Sequence, residues 1–321
     1  MNDLLSMYHL DGSAKFRFHG FESVIASRSK SLPNPVSFFE FFKKYCDLQR
    51  PLSSASLRKM LSVCSVEDAK KLENLPKEEL LFLTIPEVLQ MFESLRKASV
   101  ERVIDMLPPQ RPVYYSIASS SKIHPQSVRL VVGKNIFSAR NGSLMEGLCS
   151  SFLARVVPGQ QIEGHVNTSS FRLPNDPNIP IIMIGVSSGL APFIGFMEER
   201  VAGGSRNNLL YFGCMRRSQD FIYSNQLSRW EKDAFLDLQL AFSHDGPELV
   251  FVQHLMLQQA AKIWTLLQQG AYVFVCGHVK MGEGTLDALR KIVRMYNSEE
   301  ETTKFMDKLF ETSRLKSDVF A

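Results

Sequence analysis

A chain of 321 residues with 45% hydrophobic and 22% charged content is long enough for about two domains, each with its own core. No apolar run reaches the roughly 18 residues of a membrane-spanning helix. The net charge of +4 comes from 37 Lys and Arg against 33 Asp and Glu spread along the whole length, so neither a membrane nor nucleic acid is an expected partner. The start, Met1-Asn-Asp-Leu-Leu, lacks the basic and apolar regions of a secretory signal. The five cysteines, Cys46, Cys64, Cys149, Cys214 and Cys276, form no CxxC pair, so a cytoplasmic setting without disulfides or a metal site is expected.

In chain order, residues 1–32 stay unassigned: Gly12, Gly20 and the Ser-rich Ala26–Leu32 only punctuate short apolar pieces. From Ser37 to about Leu107 the apolar residues fall at helical spacing, as in Phe38/Phe39/Phe41/Phe42, Leu57/Met60/Leu61 and Val88/Leu89/Phe92/Leu95, which predicts an all-helical segment. Pro108, Pro109 and Pro112 end it. Tyr114-Tyr-Ser-Ile-Ala-Ser and Val128-Arg-Leu-Val-Val-Gly then read as antiparallel strands of a small barrel or sandwich.

Beyond Pro174 short apolar runs alternate with amphipathic stretches. Ile179–Gly185, Asn208–Cys214, Leu236–Phe242 and Ala271–Gly277 are the predicted strands, and Ala191–Val201, Ser224–Lys232, Leu255–Gln268 and Thr285–Arg294 the predicted helices. Runs buried on both faces belong to parallel sheets, so the fold class expected is α/β plus β-barrel. It comprises a helical connecting segment, a partial antiparallel barrel and a doubly wound parallel sheet. Such sheets bind ligands at the carboxyl ends of their strands. Four small or polar turns fall there: Val186-Ser-Ser-Gly-Leu-Ala-Pro192, Gly213-Cys214, Ser243-His244 and Cys276-Gly277. The first lets backbone N–H groups approach a pyrophosphate at a helix N-terminus. Read without further context, Cys276 is equally a core thiol and Ser243 a turn residue.

Longer motifs narrow this. Tyr114-Tyr-Ser-Ile-Ala-Ser-Ser120 with His124-Pro125, Gly147-Leu-Cys-Ser150 with Leu153, Phe171-Arg-Leu-Pro, Pro180-Ile-Ile-Met-Ile-Gly, Ala191-Pro-Phe-Ile-Gly-Phe, Tyr211-Phe-Gly-Cys, Asp220-Phe-Ile-Tyr, Val252-Gln-His and Val275-Cys-Gly resemble, in order, the ferredoxin–NADP reductase-like module of diflavin reductases. The resemblance implies a connecting domain over 33–107, an incomplete FAD barrel over 108–174 and an NAD(P)H-binding domain over 175–321. Leu173 to Gly185 and Ala191 to Phe196 are most similar to the methionine synthase reductase branch.

The resemblance also implies an activity and its residues. A nicotinamide nucleotide, NADPH or NADH, passes hydride to FAD. Electrons then go to FMN on a separate domain or flavodoxin-like protein, and from there to an acceptor such as methionine synthase. Ser116, Cys276 and Asp318 are the implied catalytic residues. Arg111, Tyr114, Tyr115, Ser116, Gly147, Leu148, Cys149, Ser150 and Phe320 would hold FAD, with the Phe320 ring covering it. Gly185, Ser188, Gly189, Ser243, His244, Phe251 and Gln253 would hold the nicotinamide nucleotide.

The chain departs from this pattern in places. Where the family reads the 2′-phosphate of NADPH with Ser-Arg and with Lys and Tyr of a K-x-Y-V-Q segment, this chain has Ser243-His244 and Leu249-Val-Phe-Val-Gln253. Losing two charge-assisted hydrogen bonds of about 1.5–3 kcal/mol each lowers discrimination roughly 10²- to 10⁴-fold. Val186 and Ser187 make the dinucleotide turn bulkier, His278 and Gly284 replace two Asp, and Val113 replaces an Arg, with Arg111 two residues away as its substitute. A different class of function follows if these losses dominate: a degenerate FAD-binding module acting as a binding or regulatory partner without turnover.

Overall fold

The computed structural model describes residues 1–18, 33–80, 82–138 and 144–320; Gly20 and the Ser-rich Ala26–Leu32 lie outside these. The chain divides into two compact units, one of residues 1–113 with 134–156 and one of residues 114–133 with 157–321.

The first unit is mainly helical between Ser37 and Leu107, as the periodicity predicts. Its helices include Phe38–Lys44, Ser54–Leu61, Val66–Glu73, Ile85–Met91 and Val100–Met106. Serine side chains cap three of these starts: Ser37 Oγ accepts from the Glu40 N–H, Ser53 Oγ from the Ser56 N–H and Ser65 Oγ from the Asp68 N–H, which satisfies donors the first turn leaves open. The spaced apolar residues meet in one core around Phe41, Met60, Leu72, Val88, Leu89 and Leu95. Two short antiparallel ladders complete the unit. One pairs β1 (Lys15–Phe16) with β2 (Val36–Ser37), the other β3 (Ile136–Ser138) with β4 (Leu144–Glu146).

The second unit is built on five parallel strands: β5 (Ile181–Val186), β6 (Asn208–Cys214), β7 (Asp237–Phe242), β8 (Tyr272–His278) and β9 (Leu315–Phe320). Their order across the sheet is β7-β6-β5-β8-β9, so the chain winds outward from β5 in both directions. Side chains alternate between two cores. Ile182, Ile184, Tyr211, Val273 and Val275 pack beneath the helices Val252–Gln258, Ala260–Gln268, Val279–Arg294 and Glu299–Glu311. Met183, Leu210, Phe212, Phe274 and Cys276 pack beneath Ala191–Ala202 and Ser224–Lys232. Burial on both faces is what makes these strands read as continuous apolar runs.

Four differences from the sequence reading have local causes. The stretches at 114–119 and 128–133 meet at a single antiparallel bridge, Ile117 with Leu130, in place of two full strands; the Arg129 N–H goes to the Ser119 hydroxyl at 3.1 Å and does not extend the ladder. The predicted helix 255–268 breaks at Gln259, whose amide accepts from the Tyr211 hydroxyl at 3.1 Å and donates to Gln239 at 2.6 Å. The predicted helix 285–294 begins at Val279, because His278 Nδ1 accepts from the Lys280 N–H at 3.2 Å and caps it. The C-terminal segment forms the edge strand β9, preceded by the helix Glu299–Glu311 with a Ser298/Glu301 capping box.

Candidate functional site

The sheet reverses direction of winding between β5 and β8, and their carboxyl ends form the crevice where doubly wound sheets bind ligands. After β5, Ser187 to Leu190 make one 3₁₀ turn that runs directly into the helix Ala191–Ala202. Ser187 holds this turn with a φ of 55°, a left-handed conformation that costs a non-glycine residue about 1–2 kcal/mol. Gly189 is packed against the neighbouring strand: a Cβ there would lie 2.1 Å from the Cys276 carbonyl oxygen and 2.9 Å from Gly277 Cα. Gly185 lies behind the turn inside β5, against the Phe193 ring.

Three polar residues meet on the other side of the crevice. Cys276 pairs in register with Asp318 across β8 and β9, so the two side chains emerge side by side on one face. Ser116 Oγ donates to Asp318 Oδ2 at 2.7 Å, although the two residues are 202 positions apart in the chain. The Cys276 thiol is fully buried. Burial, then the nearby Asp318 carboxylate, push its pKa up to about 12, and a hydrogen bond with Ser116 pulls the other way. Cys276 is therefore a neutral thiol at neutral pH. Phe320 follows Asp318 by two positions on the same strand face and is partly exposed. Lys316, on that face too, lies over the Tyr272 and Phe274 rings.

The helix Ala191–Ala202 also anchors the segment that carries Ser116. Glu198, almost fully buried, accepts from the Ser120 N–H at 3.0 Å and pairs with Arg129, while His124 approaches it at 3.4 Å. Tyr114 stands exposed, its ring perpendicular to that of His165, and Tyr115 is half-buried two residues before Ile117.

A cleft of about 390 Å³ opens beside the turn after β5. Ser243, Phe251 and Gln253, which the resemblance assigns to the nicotinamide nucleotide, line it together with Ser187, Met215, Asp220, His278, Lys280 and Met281, which sequence reasoning did not assign to the site. Asp220 had a detectable signal. It opens the Asp220-Phe-Ile-Tyr motif, and its carboxylate accepts from the Met215 and Arg216 N–H groups at 2.8 and 2.7 Å, holding the chain just past β6. His244 adjoins the cleft, its Nδ1 held 2.7 Å from Ser243 Oγ. Ser188 sits on the 3₁₀ turn itself.

The remaining expected residues belong to the first unit. Gly147 precedes the helix Leu148–Arg155, whose N-terminus no side chain caps. Ser150 Oγ accepts from the Asn135 N–H at 3.1 Å and donates to the Gly147 carbonyl at 3.2 Å. A Cβ at 147 would stand 2.9 Å from Ser150 Oγ and 3.1 Å from Asn135 Cβ, so a side chain there would push the Ser150 hydroxyl out of this arrangement. The N–H groups of Leu148, Cys149 and Ser150 at this uncapped helix start are of the kind that can take an anion such as a pyrophosphate. Arg111 is exposed.

A doubly wound sheet with a small-residue turn at its switch point, a cleft beside it and a polar trio at its edge defines a dinucleotide-binding oxidoreductase unit. Residues 1–152 match the FAD binding domain family and residues 183–287 the oxidoreductase NAD-binding domain family. The first match takes in the segment that the sequence pattern left unassigned.

Among curated proteins the chain is 34% identical to NADPH–cytochrome P450 reductase of Mus musculus, over 73% of this chain and 37% of that protein. It is 32% identical to NADPH-dependent diflavin oxidoreductase 1 of Mus musculus, over 89% of this chain and 48% of that protein. It is 31% identical to the bifunctional cytochrome P450/NADPH–P450 reductase 2 of Bacillus subtilis (strain 168), over 90% and 29%. The chain carries an FAD-binding and an NAD-binding oxidoreductase domain and is similar to diflavin reductases over part of their length. It spans between about a third and a half of the length of these relatives. Among the described residues no helix is long and apolar enough to cross a membrane.

Proposed function

We propose that this chain takes a hydride from NAD(P)H onto FAD and passes the electrons to an FMN-carrying, flavodoxin-like domain or protein. FAD, when bound, supplies the acceptor for the hydride and the means to release its two electrons singly. The observation that carries the reading is the Ser116–Asp318 hydrogen bond beside the buried Cys276 thiol.

Each residue has a separate task. The Asp318 carboxylate stabilises the positive charge that develops on the nicotinamide ring as hydride leaves. The Ser116 hydroxyl donates to Asp318 and, by turning, to the flavin edge. Cys276, neutral and buried, packs against the nicotinamide and excludes water from the transfer path. The turn Ser187–Leu190 and the start of the helix at Ala191 present N–H groups to the pyrophosphate. Phe320, with its free ring face, covers the flavin when no nicotinamide is present.

In this reading 33–107 is the connecting domain, 108–174 the FAD-binding barrel and 175–321 the NAD(P)H-binding domain. The similarity of Leu173 to Gly185 and Ala191 to Phe196 to the methionine synthase reductase branch supports reactivation of cobalamin-dependent methionine synthase in the cytoplasm as the end use. An anaerobic titration of the FAD-reconstituted chain with NADPH and NADH tests the hydride step. Bleaching of the oxidised flavin band is expected. Bound yellow flavin that neither nucleotide reduces would refute turnover and establish the degenerate binding module in its place.

A further inference from the structure

We propose that Glu198 is a positioning residue for hydride transfer: its two carboxylate oxygens clamp both limbs of the 114–133 segment onto the helix Ala191–Ala202 and so hold Ser116 against Asp318. The part played in transfer rests on reading Ser116 and Asp318 as hydride-transfer residues, whereas the clamp is a property of the chain without any cofactor.

The segment that carries Ser116 has little backbone pairing to fix it. Its two limbs meet at the bridge of Ile117 with Leu130, beside which the Ala118 N–H donates to the Arg129 carbonyl at 2.8 Å. A pairing this short needs tertiary contacts to persist. The helix Ala191–Ala202 supplies them from two positions one turn apart, Gly195 and Glu198. A Cβ at 195 would lie 3.0 Å from the Ser119 carbonyl oxygen, so the backbone of the outgoing limb rests directly on the helix. Glu198, its side chain only 8% exposed, then takes one limb with each oxygen. Oε2 accepts from the Ser120 N–H at 3.0 Å, and Oε1 accepts from Arg129 on the returning limb. Ser120 lies four residues past Ser116 and Arg129 adjoins the bridge at Leu130, so both grips bear on the stretch that delivers the Ser116 hydroxyl to Asp318.

The position calls for a carboxylate because both groups that face it are donors. A glutamine there would offer one acceptor and turn its NH₂ toward the other donor, so one limb would lose its hold. Arg129 depends on the pair as well. Its Nε is buried without a hydrogen-bond partner among the described residues. Its Nη2 donates to Glu198 and to His124 Nε2 at 3.0 Å, the imidazole accepting because a guanidinium has no lone pair to offer. Glu199 reaches the same segment through Lys122, 71% exposed, and the Ser120 hydroxyl at 3.4 Å, and an exposed pair of that kind contributes little. The same helix begins at the turn whose Gly189 packs on Cys276. One rigid element therefore sets both Ser116 and the end of β8 that carries Cys276.

Hydrogen exchange of the full chain without cofactor, followed by mass spectrometry, reads the clamp. In Glu198→Gln the amides of 116–120 and 128–130 are expected to exchange roughly tenfold or more faster, the effect of losing one charge-assisted hydrogen bond, while those of β5 and β8 keep their wild-type rates. Unchanged exchange in the segment would overturn the proposal, and so would equal acceleration in β5 and β8, which marks general destabilisation. Arg129→Gln removes the other end of the pair at a half-exposed side chain and serves the same test, with the same outcomes, if Glu198→Gln does not fold. Rapid-mixing reduction of the FAD-loaded chain reads the consequence. Glu198→Gln is expected to lower the limiting rate of flavin reduction while the dissociation constant of the nucleotide stays within about twofold, and to cause no further loss in a Ser116→Ala background. Additive losses in that double variant would overturn the action through Ser116. A wild-type chain that neither nucleotide reduces would refute the proposed function and the part in transfer with it, and the exchange rates would then decide the clamp alone.

Discussion

Replacing Gly189 by alanine puts a methyl group into the crevice between β5 and β8. The added carbon would stand 2.1 Å from the Cys276 oxygen, 2.6 Å from its carbonyl carbon and 2.9 Å from Gly277 Cα. All three are backbone atoms, so no side chain can rotate away. The turn and the end of β8 must separate by about 1 Å to reach ordinary contact, since non-bonded carbons are most stable at roughly 3.5–4 Å. Overpacking of this kind costs about 1–3 kcal/mol, and backbone on both sides places Gly189→Ala near the upper end. At roughly 2–4 °C per kcal/mol for a unit of this size, the melting temperature should fall by about 6–12 °C. The same displacement moves Cys276 relative to Ser116 and Asp318, and a 1 Å misplacement costs on the order of 10²-fold in rate. Differential scanning calorimetry and stopped-flow flavin reduction read the two effects. Gly164→Ala, with nothing within 4 Å of the added carbon, is the control. A Gly189→Ala variant that melts and transfers hydride like wild type would refute the role assigned to this contact.

Other outcomes follow from the same geometry. Asp318→Asn should keep FAD bound but slow nicotinamide-driven flavin reduction by roughly 10²-fold in a single-turnover assay, the usual loss when one preorganised electrostatic group is removed. Cys276 should resist alkylation in the native protein at pH 8, measured by mass spectrometry against a denatured control, because its thiol is buried and neutral. Its raised pKa also sets a pH dependence. The folded state holds the proton more tightly than the unfolded chain, so this contribution to stability is complete below about pH 9 and declines toward pH 12; denaturant melts across that range should show the decline, and Cys276→Ala should lessen it. Arg200→Leu should cost about 3 kcal/mol in urea unfolding, because the buried guanidinium bonds Asn208 and the Ile179 and Asn207 carbonyls and their acceptors would lose charged donors.

Local pattern alone determined much of this protein. Burial on both faces leaves continuous apolar runs, so β6 and the helix Ser224–Lys232 are found at their predicted bounds, and β5, β7 and β8 within two residues of theirs. Helical periodicity likewise placed the 37–107 segment, because one stripe of each helix must enter a shared core. The ordered motifs pointed to the family for the same reason: turn and close-approach positions tolerate few residue types.

The tertiary structure decided what depends on neighbours distant in sequence. The β9 strand has a mixed, half-exposed pattern and becomes a strand only by pairing with β8. Gln259 breaks its helix because Tyr211 and Gln239 lie across from it. Asp220, Met215 and Lys280 became cleft residues through the ends of separate strands converging. The union of Ser116 with Asp318 across 202 positions is likewise set by strand order and register, which no local period encodes.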